Sequence, residues 1–368
     1  MAIDGKTVGL ALSGGGYRAT LFGLGSLWRL NDAGLLGRLD RITSVSGGSI
    51  VAGVLAHRWG ELQFVDGRAG NFEAAVASPV QAFCTQTIDL GTTIKGWLNP
   101  FKSAGDYLID RYRKDLFGST TLKDLPPAAA GSVPRFVFYA TNLQTGRSLR
   151  FRQDMVADYL IGVNRALVVP LAAAVAASSA FPPLFSPIEL DCDSADWTEG
   201  SPLPQFVALR SHLKLADGGI YDNMGLETLV DNVDIVLVSD AGSSFEFEDD
   251  PAEDPVRQLG RVRDILIDQT RALRKRWLIS EFDAGRKHGA YWGVGTQIGA
   301  YAATTPLCAD SAHSDALAHV PTRLKALDTG QQGRLINWGY ALCDAALRTR
   351  AAVSVAAATT FPCPAWSL

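Results

Sequence analysis

Three short stretches of this 368-residue chain combine residue types that can do chemistry. The first is Leu12–Ser13–Gly14–Gly15–Gly16–Tyr17–Arg18, between a β-like run and a helical pattern. Consecutive glycines let the backbone turn without Cβ clashes and leave N–H groups unpaired at the positive end of a helix, a layout that holds an anion. The anion can be a pyrophosphate or the oxyanion of an attacked carbonyl. The second stretch, Ser44–Val45–Ser46–Gly47–Gly48, follows a β-run and opens a helix of small residues, as in a nucleophile elbow that exposes a serine hydroxyl. A serine capping the helix would fit the same letters. The third is Asp217–Gly218–Gly219, where a strand end followed by glycines can present a carboxylate at the same sheet edge; a plain Asp-Gly turn is the alternative.

Each motif leaves a choice open. Gly14-x-Gly16-x-x-Ala19 also fits a dinucleotide fingerprint, so a nucleotide-binding module built on Gly14–Gly16 competes with a hydrolase. Against it, a serine stands at the second strand end where a ribose-binding acid is expected, and Asp40 precedes that strand. A serine nucleophile needs a base within reach, and the histidines are poorly placed. His57 lies eleven residues beyond Ser46, about 16 Å along one helix at 1.5 Å per residue. His212 points to the face opposite Asp217, and of His288, His313 and His319 only His288 is a conceivable third member of an α/β-hydrolase triad. Such an elbow follows several strands, whereas this one follows two.

The elements that must position these motifs read as an alternating α/β chain with a mainly parallel sheet. Strand signals at Val8–Leu12 and Arg41–Val45 alternate with helices at Tyr17–Asp32 and Ser49–Trp59. A looser region from Glu61 to Leu125 reads as an insertion with helices at Asn71–Cys84 and Ala104–Phe117. Within it, Ile94, Trp97, Leu98 and Phe101, interleaved with Lys95 and Lys102, suit either a lipid interface or ordinary core packing. A hairpin follows at Pro134–Ala140 and Ser148–Arg152, then a buried helix at Leu171–Ala180. A strand from near Phe206 runs into Asp217, a short helix follows near Gly225–Asn232, and Ile235–Val238 is another buried strand. The last third reads as a helical extension, about 255–368, carrying the basic helix Val256–Phe282 and a late helix Gln331–Arg350. No repeat or low-complexity linker divides the chain, so it is expected to form one domain.

Composition bounds the partners. A net charge of −4 argues against a nucleic-acid surface. Five scattered cysteines, without metal spacing, read as reduced thiols. The N-terminal residues lack the pattern of a signal peptide and no apolar run is long enough to span a bilayer, so a cytoplasmic protein with peripheral membrane contact is expected. No H-x-x-x-H, carboxylate cage or calcium loop occurs, so neither metal nor cofactor is expected.

Together the motifs resemble those of the patatin-like phospholipase family, in its bacterial branch. Gly14–Gly15–Gly16–Tyr17–Arg18 is similar to its G-G-G-x-R motif, Ser44–Gly48 to its elbow with Ser44 replacing the first glycine, and Asp217–Gly218–Gly219 to its D-G-G motif. Ala140–Gly146 and Ala176–Phe185 resemble further family blocks, so the likeness spans about residues 7–240. The resemblance implies a three-layer α/β/α sandwich and hydrolysis of phospholipid or lysophospholipid acyl esters at a membrane surface. It assigns Ser46 as nucleophile, Asp217 as base, the N–H groups of Gly15 and Gly16 with neighbours Gly14 and Gly47 as oxyanion hole, and Arg18 as a supporting charge. Gly218 and Gly219 support the base. It also raises control by self-association or by a cyclic oligonucleotide held against the arginines of Val256–Phe282, the alternative being a solvated basic face paired with Asp264, Asp268 and Glu281.

Overall fold

Two runs of five buried residues, Val8–Leu12 (β1) and Arg41–Val45 (β2), start the sheet, each ending in a glycine-bearing turn that opens a helix. The helices are Gly16–Asp32 (α1) and Gly47–Arg58 (α2). The computed structural model describes residues 5–88, 102–242, 245, 247–351 and 353–368; the stretch Ile94 to Phe101, read above as a candidate lipid interface, lies outside them. The chain continues through Arg135–Asn142 (β3), Arg147–Phe151 (β4), Val156–Asp158 (β5), Gly162–Asn164 (β6), Leu171–Ser179 (α3), Ile188–Asp191 (β7) and Trp197–Thr198 (β8). His212–Asp217 (β9), Ile235–Asp240 (β10), Pro255–Asp283 (α4), His288–Gly293 (β11) and Thr329–Thr349 (α5) complete the main elements.

The sheet runs β8-β6-β5-β4-β3-β2-β1-β10-β11, with β9 added between β3 and β7. Its centre, from β3 through β2, β1 and β10 to β11, is parallel; the outer strands beyond β3 are antiparallel. The central strands β1, β2 and β10 are buried at every residue, as strands covered on both faces must be. Alternate residues of β10 divide between two cores: Ile235 and Leu237 face one side, Val236 and Val238 the other. The first core holds α1, α2, α3 and α5; the second holds Met224, Leu226, Leu229 and Leu278 of α4. The fold is therefore the expected three-layer sandwich.

Ala-rich α3, apolar on all sides, is buried along its whole length, as such a helix must be. α5 packs so closely on α1 that a Cβ on Gly25 would stand 1.9 Å from the Ile336 carbonyl oxygen, and one on Gly339 2.1 Å from that of Phe22. Three local readings differ from the structure. The strand before Asp217 begins at His212, because Pro204 starts a helical turn, Pro204–Val207, where Phe206 had suggested a strand. The helix after it is Gly219–Asp222, ahead of the expected Gly225–Asn232. The last third is not only helical: β11 extends the sheet beside β10.

Candidate active site

One strand serves as the ruler for the site. In the β2–β3 ladder Val45 stands opposite Tyr139, and in the β9–β3 ladder Asp217 stands opposite Ala140, the next residue. β9 thus takes up the pairing where β2 leaves off, so Ser46, just past Val45, meets Asp217. The two side chains meet in the cleft that both line, close enough for the Ser46 hydroxyl to favour the ionised Asp217 carboxylate. Gly218 is required at this crossing, since a Cβ there would lie 2.4 Å from the Tyr139 carbonyl oxygen and 3.2 Å from a Val45 methyl.

Ser46 adopts φ 52° and ψ −121°, a conformation that costs a non-glycine residue strain of order 1–3 kcal/mol and marks a sharp strand-to-helix turn. Its surroundings hold it there. The Ser46 N–H donates to the Ser178 carbonyl at 3.1 Å and to the Ser178 hydroxyl at 3.0 Å. Ser178 and Ser49 share a 2.8 Å hydrogen bond, and the Ser49 hydroxyl donates to that of Ser44 at 2.9 Å. Ser44, the departure from the expected elbow glycine, thus belongs to a buried hydroxyl chain beneath the turn. Ser49 and Ser178 carried no role in the sequence reading, although Ser178 lies in the Ala176–Phe185 block.

Asp217 is fixed through both backbone and side chain. Gly219 N–H donates to its Oδ1 at 2.7 Å, the Thr141 hydroxyl donates to its carbonyl at 2.9 Å, and its own N–H donates to Ala180 O at 3.0 Å. Burial pushes the Asp217 carboxyl up to about 6, against the lowering effects of the Ser46 hydroxyl and the Gly219 N–H. If the carboxylate acts as base, kcat/KM should fall about tenfold per pH unit below about 6, because kcat/KM reports ionisations of the free enzyme. A pH profile on a soluble ester, with half-maximal activity near 6, checks this; an acid limb near 4 would speak against Asp217.

The glycine turn supplies donors, though not all those expected. Among the described residues, the N–H groups of Gly15, Gly16 and Gly47 have no acceptor, and Gly16 and Gly47 are first residues of α1 and α2, where no intrahelical acceptor exists. Gly14 N–H, by contrast, donates to the Asn223 carbonyl at 2.9 Å and is not available to an oxyanion. Gly14 matters by its missing side chain: a Cβ there would lie 2.3 Å from Asn223 Oδ1 and 3.0 Å from Ser46 Cβ. The two turns are in contact, since a Cβ on Gly47 would meet Gly16 O at 2.0 Å.

Arg18 is buried beside the glycine turn, its Nη2 3.0 Å from where a Cβ on Gly15 would stand, and its donors are taken by the chain. Nε donates to Ala241 O at 2.9 Å, Nη1 to Val320 O, and Nη2 to the Thr322 hydroxyl at 2.8 Å. It clamps residues 318–324 against the glycine turn, where Tyr17 N–H also donates to Arg323 O at 3.1 Å. Burial, and then the neighbouring Arg271, push the Arg18 guanidinium down to about 10, so it stays charged at neutral pH.

Ser46 and Asp217 line a cleft of about 450 Å³, a volume in the range of small-molecule sites. Phe181, Leu184 and Phe185 give it apolar wall, and α4 contributes Arg261, Arg263 and Arg271. The α4 cations expected against a bound nucleotide are largely engaged with carboxylates. Arg271 meets Asp240 at 2.9 Å, Arg261 meets Glu248 at 3.3 Å, Arg263 meets Asp264 at 2.7 Å, and Arg274 meets Glu227 at 3.4 Å. His288 begins β11 opposite Ile235, at the far edge of the sheet, about 17 Å of strand from the elbow edge at 3.3 Å per residue. The triad built on His288 is therefore excluded. His57 bonds to Thr120 at 3.2 Å and His212 to Asp191 at 2.6 Å. His319, discounted from its position in the chain, does line the cleft, exposed on the segment clamped by Arg18. Among the described residues it makes no side-chain hydrogen bond to Ser46 or Asp217, so His319→Ala is expected to leave kcat/KM for a soluble ester within about twofold, measured across pH.

A hydroxyl on a strained elbow, a buried carboxylate in the same cleft and unpartnered N–H groups beside both fit the class of α/β folds arranged for acyl chemistry. Residues 10–230 match the family described as Patatin-like phospholipase, and the chain belongs to that family. Among solved structures, human GIVD cytosolic phospholipase A2 in complex with methyl gamma-linolenyl fluorophosphonate is similar in fold at 15% identity and a TM-score of 0.53, over 92% of this chain and 57% of that one. VipD from Legionella pneumophila aligns at 16% identity and a TM-score of 0.40, over 94% of this chain and 67% of that one. SPO1 of Saccharomyces cerevisiae is 48% identical over 46 residues, 12% of this chain and 7% of that protein. The chain thus spans little more than half of the human structure and a small fraction of the yeast protein.

Proposed function

We propose that the protein is a lipid acyl hydrolase of the phospholipase A or lysophospholipase type, acting through a Ser46–Asp217 dyad. The observation that supports this most is the meeting of Ser46 and the buried Asp217 in one cleft beside the unpartnered N–H groups of Gly15, Gly16 and Gly47. Asp217 accepts the hydroxyl proton as Ser46 Oγ attacks the ester carbonyl. The three N–H groups receive the negative charge that develops on the carbonyl oxygen, each such donor being worth about 3 kcal/mol. Collapse of the tetrahedral species expels the alcohol or lysolipid, which takes the proton back from Asp217. Water deprotonated by Asp217 then attacks the acyl-serine, and collapse of that tetrahedral species releases the fatty acid as Ser46 Oγ takes the proton back from Asp217. The apolar wall of Phe181, Leu184 and Phe185 suits an acyl chain.

Peripheral contact with the bilayer fits this reading: among the described residues no helix is long and apolar enough to cross a membrane. The whole chain is proposed to fold as one unit, because β11 and α5 of the last third join the sheet and pack on α1. Mass spectrometry of the products released from a total lipid extract tests the activity. Fatty acid and lysolipid should accumulate with the parent protein and not with Ser46→Ala; equal products from both would remove the assignment.

A further inference from the structure

α4 is amphipathic in reverse. Its inner face carries the charged groups, with Arg261, Arg271 and Arg274 paired to Glu248, Asp240 and Glu227. Its outer face carries Leu259, Val262, Leu266, Leu273 and Trp277, all exposed, from 46% at Trp277 to 71% at Leu259. At about 100° per residue these five fall within a sector of about 60° and extend about 27 Å along the axis. An apolar stripe on the solvent side of a charged helix is not explained by packing and marks a surface that something covers.

We propose that this stripe docks the protein on a lipid bilayer carrying anionic headgroups. Three observations favour a bilayer over a second copy of the chain. Arg276 and Arg263, both exposed, border the stripe on opposite sides, Arg263 with Asp264 at 2.7 Å beside it, while Glu281 on the same face is held by Arg286 at 2.7 Å. Such a border is the pattern of a helix lying in the membrane interface, with Trp277 at one end where an indole bridges headgroup and acyl regions. The stripe amounts to a few hundred Å², well short of the roughly 800 Å² per partner of a standard protein interface. The same helix also lines the cleft that holds Ser46, so docking would bring the cleft against its source of substrate. That last link rests on the lipid-hydrolase reading; the first two do not. The acidic residues Glu248, Asp249, Asp250, Glu253 and Asp254 precede the helix, so contact is expected along its later part, from Leu266 to Trp277.

The test uses full-length Ser46→Ala protein sedimented with phosphatidylcholine vesicles containing phosphatidylglycerol, so that binding is read without hydrolysis. Leu266→Glu with Leu273→Glu should lower the partition coefficient by about tenfold or more. Quenching of tryptophan fluorescence by brominated lipid should fall in Trp277→Phe. The same leucine changes in the active chain should leave soluble-ester turnover within about twofold, which shows that the fold survives. Unchanged vesicle binding in the leucine variant would overturn the proposal, and so would loss of a dimer in that variant without loss of vesicle binding, which would give the stripe to a second copy. If the parent binds vesicles through the stripe but cleaves no ester, the docking surface stands and the hydrolase reading fails.

Discussion

Ser46→Ala and Asp217→Asn are each expected to lower kcat/KM for a soluble ester by at least about 10⁴-fold, and the double variant to be within a few-fold of either. The size follows from what remains after each change. Alanine leaves no atom to attack the carbonyl. Asparagine keeps the shape of the carboxyl group and can still accept the Gly219 N–H, but it cannot take the Ser46 proton. No imidazole is bonded in its place: His57 and His212 are bonded elsewhere, His288 stands at the opposite sheet edge, and His319, though it lines the cleft, makes no side-chain hydrogen bond to Ser46 or Asp217 among the described residues. Removing either partner disables the same step, so the two losses do not add. What survives is the contribution of the N–H groups of Gly15, Gly16 and Gly47 and of substrate binding. Steady-state kinetics of the three variants decides it; an Asp217→Asn protein that keeps most of its activity would show that the proton goes elsewhere.

The same Asp217→Asn change is expected to stabilise the fold. The carboxyl titrates at about 6 in the folded chain, against an ordinary value of 3.8, because burial penalises its charged form. A group whose folded value is raised contributes its full stability below the unfolded value and loses it as pH rises through the folded one. The loss therefore develops between about 3.8 and about 6 and persists above. The two-unit difference corresponds to about 3 kcal/mol at neutral pH. An asparagine carries no charge to bury and escapes this cost, so the thermal midpoint of Asp217→Asn should exceed that of the parent by several degrees at pH 7 to 8, the gap closing toward pH 4. Thermal melts across pH check both the sign and the window. A variant less stable than the parent at pH 8 would mean that ionised Asp217 holds the fold together more than its burial strains it. Higher stability joined to lost activity is the trade expected of a site that keeps a charge in a dry place for use.

Much of this was legible because the local signals and the fold agree. β1 and β2 are five-residue strands buried throughout and ended by glycine turns, and both were read with the observed bounds. The helices α1, α3, α4 and α5 differ from their expected spans by one or two residues, because their caps or flanking prolines, such as Asp254–Pro255 and Pro170, are local. What was not legible depends on partners distant in the chain. Gly14 looks like its neighbours in the sequence, yet its N–H is taken by Asn223, more than two hundred residues later. Arg18 reads as a charge beside the oxyanion, but that its donors hold Val320 and Thr322 appears only in the fold. Ser44 reads as a flaw in the elbow until Ser49 and Ser178 complete its hydroxyl chain. The basic face of α4 reads as either a ligand surface or a face paired with acids of its own helix, but Asp240 and Glu227 that neutralise it come from other elements, and the apolar residues interleaved with those charges turn outward. β11 was missed because His288–Gly293 holds two glycines in six residues and only the neighbouring β10 makes it a strand.

The central claim, that Ser46 is a nucleophile activated by Asp217, is tested most directly by reacting the folded protein with a fluorophosphonate and mapping the adduct by mass spectrometry. One adduct per chain is predicted, on Ser46, absent in Ser46→Ala and formed far more slowly in Asp217→Asn. Folded protein that takes up no label, or takes it up on another residue, or labels equally fast with Asp217→Asn, would contradict it.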